Sequence, residues 1–444
     1  MGNIRIQKPF VYAPTAADLA GAETLSLVLP DGTRVTTNTP LMPMDDDSED
    51  ADDVNDMADT EPITVTLNEL PVCTYRTLQH KVSLVISAVG TSYEHSAAHV
   101  PAYPVLEIVP PISIASHSRS RTYASSYIAI ADFWGVVYAL FTAYHTQENI
   151  PILLSSSIEN HAQLRGYVLR SGLGRIAPSA DASKEELFLS RAAFWQGAGT
   201  HGFHSRGWLP PDTESTINAY APFPSVQSFT RTPLVIASHP LRPPKPKQGD
   251  VVYRRYCPTV KQTLELTYFD LGEEGSVSKH LQAFHDWHNS DRVNQWWSEA
   301  GPMEKHREYV QGLLEDPAVM PLIMSWDGEL MGYTEIVWVK ENHVAAYIPD
   351  GAKDWDRGAH ILVGEEKFRG SVRAQAWFRS LHHYSFLADP RTERLIGEPR
   401  ADNGAMAKVS LDTTMHVQTI FDFPYKRSIM TWLPRERFFK LDVL

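Results

Sequence analysis

One segment constrains this chain more than any other: His360-Ile361-Leu362-Val363-Gly364-Glu365-Glu366-Lys367-Phe368-Arg369-Gly370-Ser371-Val372-Arg373. An apolar strand pattern runs directly into a basic, glycine-containing turn, and an amphipathic helix pattern follows over Arg373–Phe386. Such a strand–turn–helix leaves backbone N–H groups at the helix mouth without intrahelical partners, where they can hold phosphate oxygens. The G-x-x-x-x-G-K-[ST] spacing of a nucleoside-triphosphate loop is missing, and no G-x-G-x-x-G occurs. The segment therefore predicts an anion-holding turn of another kind.

At 444 residues the chain exceeds one typical core, and two domains are expected. A composition of 43% hydrophobic and 21% charged residues is that of a globular enzyme. A formal charge of -13 argues against a nucleic-acid binder, which needs basic patches to neutralise phosphates. Much of the acidic excess lies between Asp45 and Glu61, so the remainder is closer to neutral. The two cysteines, Cys73 and Cys257, exclude a disulfide scaffold and fit a reducing compartment. Met1–Ile6 has no signal-peptide core, and Ile6 stands where myristoylation after Gly2 would want Ser or Thr. No apolar run reaches the roughly eighteen residues needed to span a membrane. The end, Asp442-Val443-Leu444, is not the peroxisomal Ser-Lys-Leu. The expectation is a soluble protein, cytoplasmic or peroxisomal with the cytoplasm favoured, acting on small molecules without nucleic acid or membrane. A homodimer is compatible with it.

The clearest boundary is Ser238–Asp250, whose four prolines favour an extended backbone and exclude a helix. This gives an N-terminal α+β domain over 1–237, a Pro-rich linker over 238–250 and a second domain over 251–444. Residues 44–61 read as a disordered acidic loop, because like charges repel and no core can form. Strand patterns occur at Thr24–Leu29, Thr33–Val35, Thr64–Leu67 and Ser83–Ile86, and helical ones at Tyr127–Tyr144 and Lys184–Trp195. His201 and His204, with no third ligand nearby, read as loop residues.

The second half predicts strand Gln262–Tyr268, a helix with Leu281, Phe284 and His288 on one face, and helix Glu304–Leu314 after Pro302. Strands Pro321–Trp326 and Leu330–Val339 flank an Asp327-Gly328 turn. Strand Ala359–Gly364, the loop Lys367–Val372, helix Arg373–Phe386, strand Arg394–Gly397, helix Asn403–Leu411 and strands Val417–Phe423 and Arg427–Leu433 complete it. The order is β-α-α-β-β-β-α-β-α-β-β.

That order, and six segments met in sequence, resemble the GNAT-type acyltransferases of siderophore biosynthesis, in particular the fungal N5-hydroxyornithine transacylases. The segments are His285-Asp286-Trp287-His288-Asn289 with Arg292, Val293 and Trp297; Gly332–Ile336; Asp356–Gly364; Phe368-Arg369-Gly370; Gly397–Arg400 with Asn403; and Phe423–Arg427. The resemblance covers about residues 255 to 440 well and the first half loosely. It implies an α+β chain with a GNAT domain in the second half, preceded by an α+β domain that could be a degenerate copy. It also implies an acyl-CoA co-substrate, no metal, and an N5-hydroxyornithine acceptor acylated to a hydroxamate. In length and in its large first half the chain looks more like the anhydromevalonyl-using members than the acetyl-using ones. The rivals are a non-catalytic GNAT-like protein and an acyltransferase for another amine, such as hydroxylysine.

The family's coenzyme A loop, Arg/Gln-x-x-Gly-x-Gly/Ala, here reads Lys367-x-x-Gly370-x-Val372, with two of three signature positions altered. Leu362, Val363, Lys367, Arg369, Gly370, Ser371, Val372, Arg373 and Asn403 are the expected coenzyme A contacts, with helix capping the alternative for Asn403. Val372, in place of a second glycine, is expected to relax the loop's curvature. His360 matches the family histidine of Asp-Arg-Gly-x-His and has a pKa suited to proton transfer near neutrality. Asp356, at the strand mouth, is expected to orient His360 or the substrate amine. Arg400 stands where bacterial relatives commonly carry a carboxylate, and Glu398 is either the compensating acid or the partner of Arg400. His285, Trp287, His288, Asn289, Trp297, Glu335, Trp338 and Asp402 are expected around the acceptor. The His285/His288 spacing suits a helix face, but the H-E-x-x-H of a zinc hydrolase is absent.

Overall fold

A computed structural model describes residues 25–38, 62–80, 103–111, 125–176, 186–209, 226–273 and 275–444. Two compact units divide the chain, Met1–Gly207 and Trp208–Leu444. This division precedes the Pro-rich stretch expected as a linker. The acidic segment 44–61 and the strand expected at Ser83–Ile86 lie outside the described residues.

The first unit carries β1 (Ser26–Val28), β2 (Arg34–Asn38), β3 (Ile63–Leu67), β4 (Leu70–His80), β5 (Tyr103–Val109), β6 (Asn149–Leu154), β7 (Gly174–Ile176) and β8 (Leu187–Ser190). They form one sheet in the order β1-β2-β3-β4-β5-β6-β8-β7, antiparallel except for β5–β6. Helix α1 (Ile130–Ala143) follows β5, and its residues Phe133 to Thr142 are all buried. Helix α2 (His161–Arg170) follows β6. The single helix expected over Lys184–Trp195 is a strand, β8, followed by a short helix, α3 (Arg191–Trp195), whose N-cap is Ser190. Leu187-Phe188-Leu189 is a continuous apolar run buried between β6 and β7, a pattern that periodicity cannot separate from a helix. His204 packs edge-on against Trp134, and no group of three or more metal-binding side chains is assembled among the described residues.

The second unit opens with a hairpin of β9 (Gln227–Arg231) and β10 (Ile236–Pro240). Its main sheet comprises β11 (Val251–Cys257), β12 (Gln262–Tyr268), β13 (Val319–Trp326), β14 (Glu329–Trp338), β15 (Arg357–Val363), β16 (Arg394–Gly397), β17 (His416–Phe423) and β18 (Lys426–Pro434). The order, β11-β12-β13-β14-β15-β16-β18-β17, repeats that of the first unit, and the fifth and sixth strands are again the parallel pair. Helices α4 (Lys279–His288), α5 (Asp291–Trp297) and α6 (Met303–Glu315) lie between β12 and β13. Helix α7 (Ser371–Leu387) follows β15, α8 (Gly404–Asp412) follows β16, and α9 (Arg435–Leu441) closes the chain. The expected element order is present, with β11, α5 and α9 in addition. No helix is long and apolar enough to cross a membrane among the described residues.

Local chemistry sets these elements. Asp327 and Gly328 both adopt left-handed backbone (φ 49 and 83), the type I′ geometry that matches strand twist. The Asp327 carboxylate accepts the Thr263 N–H at 2.8 Å, tying the turn to β12. Leu281, Phe284 and Trp287 of α4 pack with Val310 of α6 onto Ile323, Tyr333 and Leu362 of the sheet. The feature that matters most lies between β15 and β16. They pair only at Arg357↔Leu395 and Gly358↔Ile396, whereas β15 stays paired with β14 as far as Val363. Beyond Gly358 one edge of β15 therefore has no ladder partner among the described residues, and the parting of the two strands forms a cleft.

The Pro-rich stretch is docked onto the second unit. The buried Arg242 guanidinium donates to both Glu341 oxygens at 2.7 and 2.5 Å and to the Asp354 carbonyl at 2.6 Å. It also lies 4.3 Å from the Trp338 ring centre, and His239 sits 3.0 Å from the same carboxylate. Lys245 donates to the Leu313 and Leu314 carbonyls at the end of α6, and burial lowers its pKa to about 8. Glu341→Ala would leave the Arg242 charge buried without its carboxylate. Urea unfolding should register a loss of about 3–5 kcal/mol.

Candidate active site

Strand register brings Glu335 of β14 directly opposite His360 of β15, on the free-edge strand. The His360 Nδ1 lies 2.9 Å from Glu335. Glu335 is buried, yet it also accepts the Tyr309 hydroxyl of α6 at 2.6 Å and the Tyr333 hydroxyl at 3.0 Å. Burial alone would raise its pKa. The His360 bond and charge and the two phenols outweigh that and hold the carboxyl below its ordinary range. Both phenols are pushed up, by burial first and then by the carboxylate, so they remain donors.

A carboxylate can only accept, so the His360 proton sits on Nδ1 and Nε2 keeps its lone pair. Nε2 lies 3.7 Å from Glu398, just beyond the end of β16, and the side chain is 35% exposed. Burial acts to lower the His360 pKa. The Glu335 bond and charge, with Glu398 behind them, reverse this and hold it above 6.5, while Lys426 opposes them. Glu398 is itself paired with Lys426, the first residue of β18, rather than with Arg400. Trp297, at the end of α5, presents its ring at a right angle to His360 with centroids 6.5 Å apart. An imidazole so held can take a proton from a bound nucleophile and stabilise the resulting imidazolium against Glu335.

Other expected site residues lie elsewhere. Asp356 does not orient His360. It accepts Arg394 at 3.2 and 2.5 Å and the Lys353 N–H at 2.8 Å, four strand positions or roughly 13 Å from His360. Trp338, three positions after Glu335, points to the opposite face of β14, where Arg242 and Arg357 sandwich it. Its aromatic surface serves the core.

The α4 segment divides its tasks. The Trp287 indole donates to Glu365 at 2.9 Å, and its ring fills the space where a Gly364 side chain would stand. His288 is fully buried, its Nδ1 2.9 Å from the Phe284 carbonyl, and burial drops its pKa to about 4. His285 meets His306 at 2.9 Å, and Asn289 holds both the N–H and the carbonyl of Gly301. These residues brace the elements around the cleft. The signal for Glu335 was present in Gly332–Ile336, but nothing in sequence revealed that a tyrosine on α6 would share its carboxylate.

The predicted anion turn has the expected form. Arg292 donates to the Val363 and Gly364 carbonyls at 2.9 and 2.5 Å, fixing the exit of β15, while Leu362 is buried in the core. A single 3₁₀ turn, Glu366–Phe368, buries Phe368 and leaves Arg369, Gly370, Ser371 and Val372 exposed. Gly370 is the N-cap of α7 at φ 125, a backbone L side chains rarely adopt, and no side chain caps the helix. The amides of Ser371, Val372 and Arg373 are thus available at the positive end of the helix dipole. Val372, 55% exposed, has no left-handed φ, so a second glycine is not required there. Lys367 pairs with Glu329, and Arg373 reaches Gln262 at 3.2 Å. Asn403 caps α8, accepting the Met406 N–H at 3.1 Å.

Comparison with known proteins agrees with this geometry. Residues 276–423 match the family described as acetyltransferase (GNAT) domain. The acyltransferase ato1 of Omphalotus olearius is 41% identical over 332 residues, covering 75% of this chain and 82% of that protein. The hydroxyornithine transacylase SID3 of Ajellomyces capsulatus is 36% identical, covering 70% and 72%. The N(5)-hydroxyornithine:cis-anhydromevalonyl coenzyme A-N(5)-transacylase SIDF of Beauveria bassiana is 39% identical, covering 56% and 57%. The β-strand order, the open β15–β16 edge, the phosphate-type turn and these relatives agree: the chain belongs to the GNAT acyltransferase family that includes the hydroxyornithine transacylases.

Proposed function

We propose that this acyl-CoA-dependent enzyme acylates the N5 nitrogen of N5-hydroxyornithine to a hydroxamate for siderophore assembly, with an anhydromevalonyl donor preferred over acetyl. The observation that carries this reading is the His360 imidazole, fixed by a buried, ionised Glu335 on the open edge of β15. The similarity to two hydroxyornithine transacylases supports the acceptor, and the anhydromevalonyl-CoA relative supports the donor.

Coenzyme A pyrophosphate binds at the amides of Ser371, Val372 and Arg373, with Arg369 and Lys367 adding positive charge. The pantetheine arm then runs into the β15–β16 cleft, where unpaired strand N–H groups can hold its amides and the thioester oxygen. A hydroxylamine nitrogen is much less basic than an amine and is neutral near pH 7, so it attacks without prior deprotonation. Its lone pair forms the new N–C bond, the C–S bond breaks, and CoA leaves as thiolate. His360 Nε2 takes the N–H proton and can return it to the sulfur. Glu335 holds the ring and its charge throughout. Positioning carries much of the acceleration, since the base has only a modest task.

His360→Ala should lower kcat by about 10²-fold or more, measured as release of CoA thiol on protein that circular dichroism shows to be folded. Val372→Glu places a carboxylate in the first turn of α7, where it favours the helix but repels pyrophosphate. The KM for acyl-CoA should rise at least ~10-fold without loss of stability. The direct test of function is thiol release with N5-hydroxyornithine and with ornithine, each with acetyl-CoA and a branched acyl-CoA. Turnover that requires the hydroxylated acceptor and favours the branched donor is expected. Equal use of ornithine, or no release with any pair, would overturn the reading.

A further inference from the structure

Beyond Glu398 the chain keeps the register of β16, and this places a second charged pair on the cleft. Gly397↔Thr431 and the isolated bridge Arg400↔Ser428 lie on one unbroken antiparallel register with β18. The Ile429 N–H bonds to the Pro399 carbonyl between them, and the Ala401 N–H to the Arg427 carbonyl just beyond, both at 2.9 Å. Glu398 and Arg400 are two positions apart in extended chain and so share a face. Glu398 is the carboxylate 3.7 Å from His360 Nε2.

The end of α5 reports the same proximity independently. Trp297 packs against His360, while the adjacent Trp296 has the Arg400 guanidinium 5.8 Å from its ring centre. Two neighbouring tryptophans of α5 thus lie one against His360 and the other against Arg400.

Arg400 is paired with Asp402 through two contacts of 3.1 and 3.2 Å, and the side chains are 40% and 63% exposed. These distances are longer than a tight charge-assisted bond, and neither group is desolvated, so each can exchange its partner at little cost. The charges nearer the imidazole are already matched, Glu335 by His360 and Glu398 by Lys426.

We propose that Arg400 and Asp402 read the α-carboxylate and α-ammonium of the amino-acid acceptor, holding its far end while the side-chain nitrogen lies at His360. This deepens the function proposed above and rests on it. The span fits. Glu398 and Arg400, two positions apart in extended chain, are separated by roughly 6.5 Å along the strand direction. An extended ornithine chain covers about 6 Å from its terminal nitrogen to its carboxylate, and a hydrogen bond adds about 3 Å. A zwitterion meets an opposite-charge pair with both its charges, which a simple hydroxylamine cannot do.

The test compares N5-hydroxyornithine with N-butylhydroxylamine, which has the same reacting group and no α-substituents, in wild type, Arg400→Met and Arg400→Lys. Arg400→Met should cut the kcat/KM preference for hydroxyornithine at least ~10-fold, through KM rather than kcat, with Arg400→Lys intermediate. Calorimetric titration of hydroxyornithine in the presence of free CoA should show the same weakening. An unchanged preference with unchanged binding, the behaviour of an inert surface pair, would overturn the proposal. Equal losses on both acceptors would do so too. Failure of the wild type to acylate either acceptor would instead overturn the proposed function, while the calorimetric comparison would still decide whether Arg400 reads the zwitterion.

Discussion

The candidate site depends on one bond, from His360 to Glu335. A buried carboxylate normally takes up a proton, and a half-buried imidazole normally loses one. Here each is the reason the other does not. Glu335 stays ionised because His360, Tyr309 and Tyr333 surround it with donors, and His360 keeps a raised pKa because Glu335 stays ionised. The tyrosines come from α6 and from the same face of β14, so the packing of α6 on the sheet tunes the base. Nδ1 is occupied by this bond, and only Nε2 is left to face the cleft.

The fold provides the setting by an incomplete strand pairing. Parallel β15 and β16 part after two residue pairs, giving the His360 strand a free edge. The same strand ends, through carbonyls held by Arg292, in the turn that opens α7. His360, the open edge of β15 and the unbonded amides at the start of α7 therefore follow one another along β15 and the turn beyond it. Both units share one strand order, but the fifth strand of the first unit, Tyr103–Val109, has no histidine. Among the described residues the His–Glu arrangement belongs to the second unit.

The second half of the chain was legible because its elements are punctuated locally: Asp327-Gly328 for the hairpin, Pro302 before α6, Gly370 before α7. The first half was read less well, since Leu187–Leu189 is apolar throughout and carries no period. His360 was found from its motif, and its partner was misassigned for a physical reason. Asp356 is close in sequence, but along a strand closeness in sequence means distance in space. The true partner, Glu335, lies across a register that only strand pairing fixes. Trp338 failed in the same way, by falling on the wrong face of its strand. Arg400 looked like a lost acid, and its partner Asp402 and its position beside Trp296 emerge only in three dimensions.

The His360–Glu335 pair is tested most directly by the pH dependence of kcat/KM in wild type and in Glu335→Gln. His360 must be neutral to accept a proton, so activity should fall as pH drops through its raised pKa, with a midpoint above 6.5 in wild type. Removing the Glu335 charge destabilises the imidazolium, and the acid limb should move to lower pH as the maximal rate falls. Ionisation of the free substrate is common to both proteins and cancels from the comparison. A limb that stays in place in Glu335→Gln would contradict the claim that this buried carboxylate sets the base.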